Sequence, residues 1–89
     1  MVTTILTHEV KDYDVWRKAF DDDGGNRSAM GVSVTGVYRG VENPNQITVV
    51  TEVPSLEAIK AFMANPDLKA AMEKGGVISA PEVKILNKV

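Results

Sequence analysis

Cysteine is absent from this 89-residue chain, and histidine and tryptophan occur once each. The first absence removes disulfides, thiolate nucleophiles and zinc–thiolate centres together. A single histidine excludes any centre that needs two. No apolar run approaches the roughly 18 residues of a transmembrane helix. The opening Met1-Val2-Thr3-Thr4 lacks the basic stretch of a secretory signal, so the expected compartment is the cytoplasm. Charge of one sign is scarce as well: ten basic against twelve acidic side chains leave a formal charge of −2. Nucleic-acid binding needs clustered Lys and Arg to displace counterions, and an anionic membrane surface needs a polybasic patch. Neither pattern is present. Glycine-rich phosphate loops, a nucleophile elbow and metal-ligand clusters are also missing, so neither a cofactor nor a metal is expected. What remains is an ordinary globular composition, 44% apolar and 25% charged, on a chain the size of one small domain spanning residues 1–89.

Thr3–Val10 (TTILTHEV) is rich in β-branched residues and predicts a first strand. Asp12 is placed as an N-cap, and Tyr13, Trp16, Ala19 and Phe20 recur at helical spacing, with Asp14 and Lys18 set to pair on the outer face. Gly24-Gly25 reads as the stop of that helix. Val32–Val41 and Gln46–Val53 predict two further strands, and the turn-forming Glu42-Asn43-Pro44-Asn45 between them makes an antiparallel hairpin. A second helix carries Leu56, Ile59, Phe62 and Met63, breaks at Asn65-Pro66, restarts with Leu68, Ala71 and Met72, and stops at Gly75-Gly76. Glu82–Val89 predicts the last strand. The order βαββαβ implies an α+β, ferredoxin-like arrangement: a four-stranded antiparallel sheet with both helices on one face.

Strand alternation then sorts side chains. One face carries Val2, Thr4, Leu6, His8 and Val10, then Val32, Val34, Tyr38, Ile47, Val49, Val53, Val83 and Ile85, and belongs under the helices. The other carries Ile5, Val37, Val41, Val50 and Leu86 among Thr3, Thr7, Thr35, Thr48, Arg39, Glu9 and Glu52. Two helices cannot cover both faces, and a domain this small buries only roughly 60% of its unfolded surface. A homodimer with two sheets face to face is therefore expected. A bulge in any strand would exchange part of this assignment.

The stretches HEVKDYDVWRKAFDD, RSAMGV, VYRGVENPNQITVVTEV and NPDLKAAMEKGGV resemble the small dimeric α/β-barrel proteins related to the antibiotic-biosynthesis-monooxygenase (ABM) domain, in particular a cyclase-like subgroup. The most specific part is His8, Val10, Asp12, Tyr13, Trp16 and Phe20. The resemblance implies a ferredoxin-like fold in which two subunits close a barrel. It points to a superfamily that includes cofactor-free monooxygenases, haem-degrading enzymes, polyketide cyclases and muconolactone isomerases. Related haem enzymes place the proximal histidine on the second helix, where this chain has none.

Fold analogy alone supplies no reaction, so candidates rest on chemistry. His8, beside Trp16 and Tyr38 on the helix-covered face, is placed as a general base or as a hydrogen-bonding group for a substrate oxygen; the alternative is a histidine that fixes the strand-to-helix turn. Tyr38 would orient a ligand there, while Arg39 on the opposite face would meet Glu52. Trp16, Phe20, Phe62, Met63 and Met72 form stripes that either pack the core or line a pocket for a flat apolar ligand. Arg27 either caps the first helix or closes the cleft over an anion. Asp21-Asp22-Asp23 lacks the alternate-ligand spacing of a calcium loop and reads as a solvated helix end. Three classes stay open: a cofactor-independent monooxygenase, isomerase or cyclase acting on an aromatic or enolisable small molecule; a ligand-binding module; and a structural dimer.

Overall fold

The computed structural model describes residues 2–89. Strand β1 (Val2–Glu9) leads through Asp12 into helix α1 (Tyr13–Asp22), followed by the short α2 (Gly24–Ala29), β2 (Ser33–Arg39), β3 (Gln46–Val53), α3 (Leu56–Ala64), α4 (Pro66–Lys74) and β4 (Glu82–Asn87). The sheet is antiparallel throughout, in the order β2-β3-β1-β4, so the two helical connections each cross over to the same face. The expected ferredoxin-like α+β fold is the observed one.

Local chemistry accounts for the helix boundaries. The Asp12 carboxylate accepts from the backbone N–H of Asp14 and Val15, and Ser55 accepts from Ala58 N–H, each satisfying first-turn donors that have no helical partner. Asn65 closes α3 and caps α4 by accepting from Asp67 N–H, and Pro66 stands at a first-turn position where its missing N–H is harmless. On the outside of α1 the ion pair formed is Arg17–Asp21, at 3.2 Å, instead of the expected Asp14–Lys18.

Two expectations are corrected. Gly24-Gly25 does not stop the helical path but opens α2; the left-handed glycines are Gly31 (φ 76°) and Gly76 (φ 75°). The second correction moves side chains between faces. The β2–β3 register slips between Val34 and Gly36, leaving Thr35 as an extra residue whose hydroxyl donates to Val50 C=O at 3.2 Å. Beyond that bulge Val37 stands opposite Val49, Tyr38 opposite Thr48 and Arg39 opposite Ile47. Val37 and Arg39 thus lie on the helix side and Tyr38 on the open side, the reverse of plain alternation. Arg39 stacks its guanidinium 3.9 Å from the Tyr13 ring centroid and donates to Pro44 C=O, so it does not meet Glu52. Val41 lies beyond the end of β2, fully exposed.

The core is divided. Val10, Trp16, Ile47 and Val49 form one buried cluster under α1, joined by Tyr13, Phe20, Val37 and Val77. Val32, Val53, Ile59 and Phe62 form another under α3, joined by Val2, Met30, Met63 and Leu68. Among the described residues no helix is long and apolar enough to cross a membrane.

Candidate functional site

A cleft lies between the sheet and the helices where the two clusters part, with a cavity volume of about 80 Å³. That is room for several waters or part of a small ligand. The sheet contributes Thr4, Leu6, His8, Val49, Thr51 and Val83. Its aromatic wall is Trp16 and Phe20 from α1; opposite stand Ile59, Phe62 and Met63 from α3 and Leu68 and Met72 from α4. Asp23 and Arg27 complete the lining at the α1–α2 junction.

Helical spacing makes the aromatic wall continuous. The Trp16 and Phe20 rings stack with centroids 4.9 Å apart and 26° between planes, and the His8 ring meets Trp16 edge-on at 5.7 Å. The guanidinium of Arg27 sits 3.7 Å from the Phe20 centroid, and its Nη1 lies 4.0 Å from a carboxylate oxygen of Asp23. Deeper in, the buried hydroxyls of Thr4 and Thr51, paired across β1 and β3, hydrogen-bond each other.

His8 is 4% exposed, and its Nδ1 is one of two buried side-chain polar atoms without a hydrogen-bond partner among the described residues; Asn26 Nδ2 is the other. Burial lowers the imidazole pKa below its ordinary value, opposed more weakly by the residue's own backbone. The ring is therefore neutral at pH 7, with one nitrogen lone pair able to accept a proton. Burial likewise lowers the Arg27 pKa, against the opposing pull of Asp23 and then Asp21, yet an arginine keeps its charge in any accessible pH range.

The expected site residues are only partly brought together. His8, Trp16, Phe20, Arg27, Phe62 and Met63 all line the cleft. Tyr38 does not: it is 58% exposed on the other face, placed there by the bulge. The Asp12 carboxylate, as expected, caps α1 and makes no contact with His8. Sequence reasoning missed Thr51 and Asp23. Alternation through Ile47, Val49 and Val53 already included Thr51, and the i,i+4 spacing of Asp23 and Arg27 was the available signal that the acidic run did not end wholly in solvent. Among the described residues no cluster of three His, Cys, Asp or Glu side chains stands ready to hold a metal.

An antiparallel four-stranded sheet under one helical layer, with a cleft between them, defines a ferredoxin-like α+β protein. Within that class, the chain belongs to the family described as a domain of unknown function (DUF3764), matched over residues 1–84. No curated protein matches it. Similar solved structures include a candidate antibiotic biosynthesis monooxygenase from Caulobacter crescentus, 21% identical, with a TM-score of 0.79 over 99% of this chain and 89% of that one. Another candidate of that description, from Bordetella bronchiseptica, is 16% identical, with a TM-score of 0.79 over 99% and 96%. A nipsnap family protein of unknown function from Agrobacterium tumefaciens is 24% identical, with a TM-score of 0.68 over 97% and 86%. At these identities the likeness is one of fold.

Proposed function

We propose that this chain binds a flat, aromatic or enolisable small molecule in the helix–sheet cleft, with His8 as its proton acceptor. The reading extends to a cofactor-independent reaction of the monooxygenase, isomerase or cyclase type. The observation that carries it is the unpartnered Nδ1 of a buried, neutral His8 in a cleft walled by aromatic and thioether side chains. Leaving a buried nitrogen without a partner costs free energy that a ligand hydroxyl or acidic C–H would recover on binding. A neutral imidazole is also a competent base near pH 7 without metal or cofactor. Asp12 is committed to its cap, so no carboxylate orients the ring; this favours a binding module as the second reading. His8→Gln separates the two. In an enzyme it abolishes turnover of an enolisable aromatic ketone while affinity changes little; in a binder it weakens affinity and there is no turnover to lose. A complex structure in which the ligand sits elsewhere and the cleft stays empty overturns both.

The same reading includes a homodimer. Ile5, Val50 and Leu86 on the open face, with Tyr38 beside them, support burial against a second copy. Val50→Asp then dissociates the dimer and unfolds the chain, because the carboxylate would be buried unpaired. A monomer in sedimentation at micromolar concentration refutes it.

A further inference from the structure

Arg27 brings a positive charge into an apolar cleft without acceptors to match its donors. Its side chain is only 12% exposed and that of Asp23 only 17%. Phe20 lies against the guanidinium, which leaves the edges of the fork free. Among the described residues no hydrogen bond reaches those edges, and the one charged contact is Asp23, at the outer limit of an ion pair. A guanidinium carries five N–H donors in a geometry that matches a carboxylate with two parallel bonds. Past Phe20 and Trp16 along the same wall, His8 lines the same cavity.

We propose that the ligand of this cleft is a planar organic monoanion, an aromatic or enolic carboxylate whose carboxylate takes the Arg27 fork while its ring lies between the Trp16–Phe20 wall and the Phe62–Met63 side. This rests on the cleft being a ligand site and names the chemical class it accepts. Asp23 is the resident counter-ion: it already sets a carboxylate beside Arg27, loosely, and a better-placed carboxylate displaces it. Arg27 is the single cation of the lining, so it can pair one carboxylate, while the second charge of a phosphate dianion would stay unpaired in the cleft. Stacking on Phe20 holds the fork in place before the ligand arrives, so less ordering is needed on binding.

The test uses two probes of equal shape, benzoate and benzamide, each titrated into the intact protein. The fluorescence of Trp16 is the readout, because this sole tryptophan lines the cleft. Benzoate is expected to bind about tenfold or more tightly than benzamide, the margin of a charge-assisted bidentate pair. Arg27→Gln brings benzoate down to the benzamide affinity. Asp23→Asn, which keeps the size of a side chain that makes no capping hydrogen bond, strengthens benzoate several-fold and leaves benzamide unchanged. It also carries the test if the Arg27 variant does not fold. Equal affinities in the unmodified protein, a preference that survives Arg27→Gln, or no effect of Asp23→Asn overturns the anion assignment and leaves the cleft reading standing. No response of Trp16 to either probe overturns both.

Discussion

The two halves of the helical layer rest on the same sheet yet differ in kind. The α3 half is aliphatic: Val32, Val53 and Ile59 around Phe62, with Met30, Met63 and Leu68 filling in. The α1 half is aromatic and charged: Trp16 in contact with Tyr13 on one side and Phe20 on the other, with Arg39 stacked on Tyr13 at one end and Arg27 on Phe20 at the other. Aliphatic side chains pack without directional demands and serve cohesion. Aromatic faces and guanidinium forks have directional demands, and a surface that retains unmet ones is suited to recognition. The comparison teaches that the cleft is where a half built for stability meets a half built for contact.

The comparison breaks first at Phe62. Phe62→Ala should cost about 3–5 kcal/mol in urea unfolding, because a buried ring leaves a cavity among side chains that cannot close on it. Phe20→Ala should cost less, about 1–2 kcal/mol, because that ring is only half-buried. It removes the bed of Arg27, so its larger effect should appear as weakened probe binding in the Trp16 titration. If Phe62→Ala costs no more than Phe20→Ala, the assignment of cohesion to the α3 half fails.

Asp12→Ala is expected to cost about 1 kcal/mol through the lost cap of α1, measured as a fall in the urea midpoint at unchanged slope. The next effect is pH-dependent. His8 titrates lower in the folded than in the unfolded chain, so as pH falls through the unfolded value of about 6.5 the unfolded state takes up the proton first. Stability is thus full above that pH, declines below it, and levels off once the folded form protonates. Melting curves from about pH 7.5 to about 5.5 should show this slope in the unmodified protein and a flatter one in His8→Gln. Smallest of all, Tyr38→Phe should change stability by less than about 0.5 kcal/mol and leave probe binding untouched, since its ring lies on the other face.

Most of the fold was legible in the sequence because the local signals agreed with one another. β-Branched runs set the strands, Asp12 set the start of α1, and Asn65-Pro66 marked the break between α3 and α4 at the residue where it occurs. The His8–Trp16 contact was legible too, one side chain from strand alternation and the other from helical spacing. Tyr38 and Arg39 were not. A bulge adds a residue without a compositional signature beyond Gly36, and every side chain after it changes face. Gly24-Gly25 misled for a different reason: glycine punctuates either end of a helix, and only the backbone angle distinguishes them.

That bulge also governs how the sheet meets other chains. β2 and β4 are the two edges of the sheet, and an edge offers a row of unpaired N–H and C=O groups on which a foreign strand can grow. On β2 the row is interrupted near its middle, where the extra Thr35 raises the local twist and spoils the flat template. On β4 the guard is of another sort, Pro81 just ahead of the strand and Lys84 within it. Because the residues on either side of Thr35 already pair in order with β3, deleting it would straighten the edge and leave Tyr38 and Arg39 on their present faces. Its value to the chain is that of a gatekeeper, keeping an aggregation-competent ribbon from forming at the margin of the sheet.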